Sequence, residues 1–409
     1  MSSHIPYGRQ TIDDDDVAAV IAALKSDWLT GGPEVTAFEE AFSKKVGAPY
    51  AVASSSGTSG LHIAALALGI GPKDTVVVPA LTFLASANAF RFEGANILFA
   101  DTDDTTGLMT PETLQRCIAD RGRGEKIAAI VAVHLGGRCC DMAAISRIAA
   151  THGAAVVEDA SHALGSRYYA DGGDHPTGAC DHSDITVFSL HPVKTATMGE
   201  GGVSTTRNSR LDSAMRLARS HGINRDPTAF EQASLAFAAD GQPNPWYYEA
   251  HTIAPNYRAS DIHCALGRSQ LRKLDAFASR RRELAARYDE ALAPLAPALR
   301  TVGPVAGCVP VLHLYVVHID FAAIGCDRGA FMRALSSDGI GTQVHYMPLH
   351  MHPYYRRMNP GLHLPGARSY YESTLSIPLF PAMTNSEQDR VIDALTNLVR
   401  KGTQAGSLL

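Results

Sequence analysis

The feature that most constrains this chain is an alternation of short apolar runs with stretches of helical period through its first 270 residues. Runs at 50–54, 75–78, 97–100, 127–133, 155–158, 185–189 and 202–205 are β-branched or apolar and bounded by turns, which predicts seven strands. Several of them lack hydrophobic–polar alternation. A strand apolar on both sides suits a sheet covered by helices on both faces, and strands that alternate with helices imply mostly parallel pairing. The expectation is a large α/β domain over residues 1–270, with residues 1–33 as an amino-terminal arm whose helix, at 13–25, is opened by acidic side chains. A helix over 271–292, rich in Arg, Leu and Ala, predicts a linker, and strands near 312–319 with helices at 328–338 and 386–401 make 271–409 a small α+β domain. The polar, glycine-containing segment 226–242 reads as a loop or lid.

Charge narrows the partners. Lys and Arg number 36 against 41 Asp and Glu, a formal net charge of −5, which offers no general attraction to nucleic acid or to an anionic membrane. No apolar run reaches the roughly 18 to 20 residues that span a bilayer, and the opening MSSHIPYGRQTIDDDD lacks the order of a secretion signal. A cytoplasmic protein with a small-molecule partner is expected. The seven cysteines contain no CxxC pair, and His345, His350 and His352 have no acid or cysteine to complete a zinc set, so free thiols and no metal are expected.

Of the 36 basic side chains only eight are lysines, and seven of these sit in polar or helix-surface settings. Lys194 differs. It follows the strand of ITVFSLHPVK and precedes TATMGEGG, which places a single amine at the carboxyl end of a sheet strand, where open α/β sheets bind ligands. An arbitrary lysine in a loop is a solvated surface group, so the assignment needs partners. Two segments supply them for an imine-forming lysine and pyridoxal phosphate. In SSSGTSGLHIAALALG a small-residue turn runs into a helix, and its first N–H groups with the hydroxyls of Ser56, Thr58 and Ser59 make a phosphate cradle or, equally, a helix cap. In AAVVEDASHALGS an apolar strand ends in Glu158 and Asp159, and a carboxylate there can hold a pyridine nitrogen protonated or cap a helical turn.

The segments WLTGGPEVTAFEEAF, SSSGTSGLH, PALTFLASANAF, VVEDASHALGS, DITVFSLHPVKTATMGEGG, NYRASDIHCALG, VHYMPLH and LSIPLFP resemble the DegT/DnrJ/StrS family of sugar aminotransferases over nearly the whole chain. DASHALGS, FSLHPVK, GEGG and RSHGI most resemble the members that aminate C4 of a UDP-linked 4-keto-6-deoxy-N-acetylhexosamine in pseudaminic-acid synthesis. The resemblance implies a fold-type I, aspartate aminotransferase-like architecture, with pyridoxal 5′-phosphate carried by Lys194 and Asp159 under its pyridine nitrogen. It further implies Gly57, Thr58 and Ser189 at the phosphate, Phe83 stacked on the ring and His162 beside it. Asn256, from the NYR motif, would reach the same phosphate from the partner subunit of a homodimer. Trp28, Thr30, His345 and Tyr346 would contact the substrate. One departure is IAPNYR, in which Pro255 stiffens the approach to Asn256 and removes a backbone donor; another is the longer stretch before it.

The expected reaction is a two-stage transfer of an amino group from L-glutamate to the keto-sugar, giving a 4-amino sugar. The nucleotide (UDP, GDP or dTDP) and the aminated carbon, C3 or C4, depend on loops that sequence does not fold. Two other readings compete. Sugar 3-dehydratases of the family carry histidine in place of the lysine, which Lys194 opposes, and regulators on this fold carry a DNA-binding domain, for which the chain shows no pattern.

Overall fold

The computed structural model describes residues 4–406; residues 1–3 of the expected arm and 407–409 of the expected small domain lie outside the described residues. In chain order the first strands are β1 (Tyr50–Ser54), β2 (Thr75–Pro79), β3 (Asn96–Ala100), β4 (Ile127–Val133), β5 (Ala155–Asp159), β6 (Arg167–Ala170), β7 (Gly173–Pro176), β8 (Ile185–Ser189) and β9 (Gly202–Thr206). Later come β10 (Ile223–Asn224), β11 (Glu249–Ala250), β12 (Leu299–Thr301), β13 (Cys308–Val309), β14 (Tyr315–Ile319) and β15 (Thr374–Ile377).

Seven of them form one sheet in the order β1-β9-β8-β5-β4-β2-β3. Each of the seven runs read from sequence is present, to within one residue at either end. The pairs β2–β3, β2–β4, β4–β5 and β5–β8 are parallel, while β9 runs antiparallel to both β1 and β8. All strands but β9 therefore deliver their carboxyl ends to one edge. Val76, Val77, Val78, Ile130 and Val131 are fully buried, as β-branched side chains on both faces of a doubly covered sheet should be.

The long helix starts earlier than its composition suggested. It spans Asp261–Leu292, because Ser260 caps it by accepting the His263 N–H. Its first half, with Cys264, Leu271 and Leu274, packs against Phe38 and Phe42; its second half, with Leu284, Tyr288 and Leu292, belongs to a separate core with Val317 and Leu375. Between the halves the buried Arg281 donates to the carbonyls of Leu312, His313 and Leu379 at 3.1 to 3.2 Å, which fixes the later residues against the helix. The second core lies on the antiparallel sheet β12-β14-β15.

Two readings of local structure change. The strand expected at 312–319 is only Tyr315–Ile319, since His313 N–H is taken by Gly136 O at 3.0 Å instead of a sheet neighbour. The segment 226–242 lies in the loop between β10 and β11 and carries short structure that the sequence did not suggest, a 3₁₀ turn at Pro227–Ala229 and a single helical turn at Ala233–Ala236. Glu249 holds it, accepting the N–H groups of Glu231 and Gln232 at 2.8 to 3.0 Å, an anchor too far along the chain for local pattern to reveal. Among the described residues no helix is long and apolar enough to cross a membrane.

Candidate active site

The carboxyl edge of the sheet opens on a cavity of about 490 Å³, within the range of small-molecule sites. Lys194, Asp159, His162, Gly57 and Thr58 line it, and so do Phe83, Ser189, His345 and Tyr346. Residues read from five separate stretches of sequence thus meet in one place. Asn256, Trp28 and Thr30 do not line this cavity in their own chain. All three are exposed; Asn256 pairs through its backbone with Ser220, and Thr30 with Ser260.

Lys194 is carried by the β8–β9 connection. That loop is closed by Leu190 N–H on Gly201 O, Met198 N–H on Leu190 O and Lys194 N–H on His191 O, each at 2.9 Å. Among the described residues no carboxylate lies within ion-pair distance of the amine, and burial draws its pKa down from 10.5 to about 8 against the pull of Asp159. The neutral, nucleophilic form of this amine is therefore far more populated near physiological pH than in an ordinary lysine, though the ammonium still predominates below about pH 8.

Of the two adjacent acids, only Asp159 faces the cavity. Successive strand residues point to opposite faces, and Glu158 is turned to His134, Ser183 and Thr186, whose side chains occupy its oxygens at 2.5 to 2.8 Å. Asp159 accepts the Ser86 hydroxyl at 2.6 Å and the Ser161 N–H at 3.1 Å; Ser86 is in turn bonded to Thr82 at 2.7 Å. The Asx turn at Ser161 and the cavity-facing carboxylate coexist, so the cap reading and the ligand reading both describe Asp159.

The same duality holds at the helix Gly57–Ala67. Ser56 and Ser59 cap it reciprocally, Ser56 N–H donating to Ser59 Oγ at 2.8 Å and Ser59 N–H to Ser56 Oγ at 3.1 Å. The Gly60 N–H is taken by Ser56 O. Of the four N–H groups that a helix start leaves without intrahelical partners, those of Gly57 and Thr58 have no partner among the described residues and remain for a ligand. Gly57 must be glycine for contact reasons: a Cβ there would meet Ser189 Cβ at 2.8 Å, and that close approach brings the Ser189 hydroxyl beside the helix start.

His162, Phe83 and Tyr346 form the aromatic wall, with Tyr346 5.9 Å from Phe83 and 6.0 Å from His162 between ring centroids. Burial holds His162 and His345 well below the usual histidine range, the latter at about 3, and the nearby Lys194 charge adds to the effect in both. Sequence reasoning did not single out Tyr7, which lines the cavity, nor Ser86 and Thr82 behind Asp159. The last two sit inside the quoted PALTFLASANAF segment, but only the fold brings them to Asp159, 73 residues away. Among the described residues no group of three His, Cys, Asp or Glu side chains could hold a metal.

The donor set fits pyridoxal 5′-phosphate. A partly neutral amine could take its aldehyde, a buried carboxylate its pyridine nitrogen, and two free N–H groups with the hydroxyls of Thr58 and Ser189 its phosphate.

Comparison with known proteins agrees. The model of the DegT/DnrJ/EryC1/StrS aminotransferase family matches residues 10–396. PseC of Helicobacter pylori, an aminotransferase involved in the biosynthesis of pseudoaminic acid, superposes with a TM-score of 0.86 at 25% identity, over 97% of this chain and 100% of that one. CalS13, a sugar aminotransferase from Micromonospora echinospora, gives 0.81 at 27% identity over 96% and 99%. Spr1654 from Streptococcus pneumoniae, in its PLP-form, gives 0.84 at 25% over 98% and 99%. The fold is that of the fold-type I pyridoxal phosphate enzymes, with pyridoxal 5′-phosphate as cofactor. The chain belongs to the DegT/DnrJ/EryC1/StrS aminotransferase family and is a sugar aminotransferase.

Proposed function

We propose that the chain transfers the amino group of L-glutamate to C4 of a UDP-linked 4-keto-6-deoxy-N-acetylhexosamine, with Lys194 as the lysine that carries the cofactor. The observation that bears this reading is the meeting of Lys194 and Asp159 in one cavity whose rim holds the free Gly57 and Thr58 N–H groups. Similarity to the pseudoaminic acid enzyme of Helicobacter pylori supports the choice of sugar.

The bound cofactor supplies an aldehyde that holds the amino group and a cationic ring that stores the electron pair released at the donor's α-carbon. Asp159, held by Ser86 and Ser161, keeps a negative charge where the ring nitrogen needs one. Lys194, through the neutral form that its lowered pKa makes accessible, takes the α-proton from the donor in the first stage and returns a proton to C4 of the sugar in the second. Glutamate leaves as 2-oxoglutarate, its keto oxygen taken from one water, and the keto oxygen of the sugar leaves as another. Gly57, Thr58 and Ser189 bind the phosphate, and Phe83 and His162 flank the ring.

The active assembly in this reading is a homodimer in which Asn256 completes the partner's phosphate site. It is exposed in its own chain, as are Trp28, Leu29, Val17, Ile21 and Leu24, an apolar surface at the amino-terminal arm that suits a second copy. Trp28 and Thr30, with His345 and Tyr346, meet the sugar nucleotide.

Incubating the holoenzyme with glutamate and a panel of UDP-, GDP- and dTDP-linked keto-sugars tests the substrate, with the 4-amino product of the UDP sugar expected. Preferred amination of a GDP or dTDP sugar, or of C3, would replace that assignment. Mixing Lys194→Ala and Asn256→Ala chains tests sharing: recovery of activity in the mixture is expected, and two inactive homodimers that never complement would exclude it.

A further inference from the structure

The aromatic wall contains a proton arrangement that the reaction above does not use. Gly136 N–H donates to His162 Nδ1 at 3.2 Å, so that nitrogen offers its lone pair and the neutral ring carries its proton on Nε2. Nε2 lies 3.1 Å from Tyr346 Oη. With the proton on the nitrogen, the histidine donates and the phenol oxygen accepts. The phenol's own proton is then left over, and no other partner of Tyr346 Oη is found among the described residues. The side chain lines the Lys194 cavity.

The backbone sets this direction firmly. Gly136 sits at φ 66°, in the left-handed region that glycine adopts without strain, inside the turn Leu135–Gly137. Its carbonyl accepts the N–H of His313 at 3.0 Å, and His313 is itself fixed by Arg281. Gly136, whose N–H polarises His162, is therefore also anchored through its own carbonyl.

The surroundings keep both groups in these states. His162 is packed against His313, at 4.6 Å between ring centroids, and His345, at 6.5 Å. Burial first, then the charge of Lys194 and the nearness of His345, hold its basicity down. Tyr346 is pushed up, by burial first and then by Asp159, Tyr7 and Tyr370, so its hydroxyl stays protonated. His162 is thus neither a free base nor a free acid here, since each of its ring nitrogens is engaged.

We propose that Tyr346 is a hydroxyl donor to an oxygen of a group bound in the cavity, and that Gly136 and His162 are the residues that orient it. This rests on the aminotransferase reading given above. The acceptor is a carbonyl or anionic oxygen, supplied either by the keto group of the sugar or by the phenolate of the cofactor. A donor placed there speeds loss of the keto oxygen in the first case and stabilises the phenolate charge in the second.

Two measurements decide. Nitrogen NMR of ring-labelled protein without cofactor reads the tautomer of His162: an unprotonated Nδ1 and protonated Nε2, unchanged between about pH 6 and 9, are expected. A protonated Nδ1 or a charged ring in that range overturns the arrangement. Tyr346→Phe, isosteric and checked by thermal melting, is then followed as holoenzyme in the separate glutamate and keto-sugar half-reactions, with a pH titration of the visible absorption. A loss of roughly tenfold or more confined to the sugar half-reaction, with the titration midpoint unmoved, assigns the keto oxygen. A midpoint displaced upward, with both half-reactions slowed, assigns the cofactor phenolate. Half-reactions and midpoint all equal to wild type overturn the proposal. If the wild-type chain aminates no UDP sugar, the substrate reading fails, while the tautomer, the glutamate half-reaction and the absorption titration still test Tyr346.

Discussion

Two lysines of this chain, Lys194 and Lys273, are both drawn in from solvent, and they are held in opposite ways. Lys273 is ion-paired to Asp13 and to Asp16, the latter at 2.8 Å, and these bonds raise its pKa against the burial that would lower it. Lys194 has no ion-pair partner among the described residues, and burial lowers it to about 8. Lys273 fastens the helix Asp14–Leu24 to the helix Asp261–Leu292; Lys194 ties nothing together. A buried amine that stabilises the fold is paired, and one left unpaired costs stability and gains a neutral, reactive form.

The contrast breaks most visibly on substitution. Lys194→Ala should lower the transamination rate on the order of a thousandfold or more and abolish the visible absorption of the bound cofactor, while Lys273→Ala should leave both within about twofold. Steady-state assays and absorption spectra of the two purified variants check this, and a Lys194→Ala enzyme with wild-type turnover would remove the assignment. Asp159→Ala comes next. It should retain cofactor but slow the α-proton step by roughly a hundredfold, because the ring loses the charge that keeps its nitrogen protonated. Deuterium washout from labelled glutamate measures that step, and an unchanged rate would show that Asp159 serves only as the Asx cap of Ser161.

How far this was legible in the sequence follows from which forces act locally. The seven strands were readable because β-branched runs between turns announce themselves within five to seven residues. Lys194 was readable because it alone among the lysines followed a strand into a glycine-rich turn. The choice between Glu158 and Asp159 was open at the level of residues and rested on family resemblance. Fold geometry separates them, because adjacent strand positions face opposite ways and His134, Ser183 and Thr186 saturate one side. Ser86, Gly136 and the Glu249 anchor were invisible for a related reason: each acts on a residue 73, 26 or 18 positions away, and only packing sets those distances. Asn256, Trp28 and Thr30 lie outside the cavity of their own chain, so a site read from one chain holds only part of the set named for it.

The pH dependence sharpens the comparison without any mutation. In protein freed of cofactor, the neutral fraction of the Lys194 amine should rise about tenfold per unit below its pKa and flatten above about 8. The rate at which it captures pyridoxal 5′-phosphate should follow the same curve. Lys273, with its pKa raised, should stay protonated and unlabelled across that range. Competitive labelling with an amine reagent at several pH values, read by peptide mass spectrometry, gives both curves at once; a Lys194 midpoint near the ordinary 10.5 would contradict the burial argument.

The smallest effect belongs to the structural lysine, and it falls on stability. Lys273→Met keeps the apolar stem but leaves Asp16, whose side chain is fully buried, with Gln270 Nε2 at 2.7 Å and the Asp13 N–H at 3.1 Å as its remaining donors. The loss should be about 1 to 3 kcal/mol, the cost of a buried acceptor deprived of a charged donor, reduced because the ammonium itself keeps 17% of its side-chain exposure. Chemical denaturation measures it. The double variant Lys273→Met with Asp16→Asn should recover part of the loss, since a neutral amide no longer needs the cation. A Lys273→Met protein as stable as wild type would mean that the pair is solvated, and that burial alone, without the absence of a partner, does not separate the reactive lysine from the structural one.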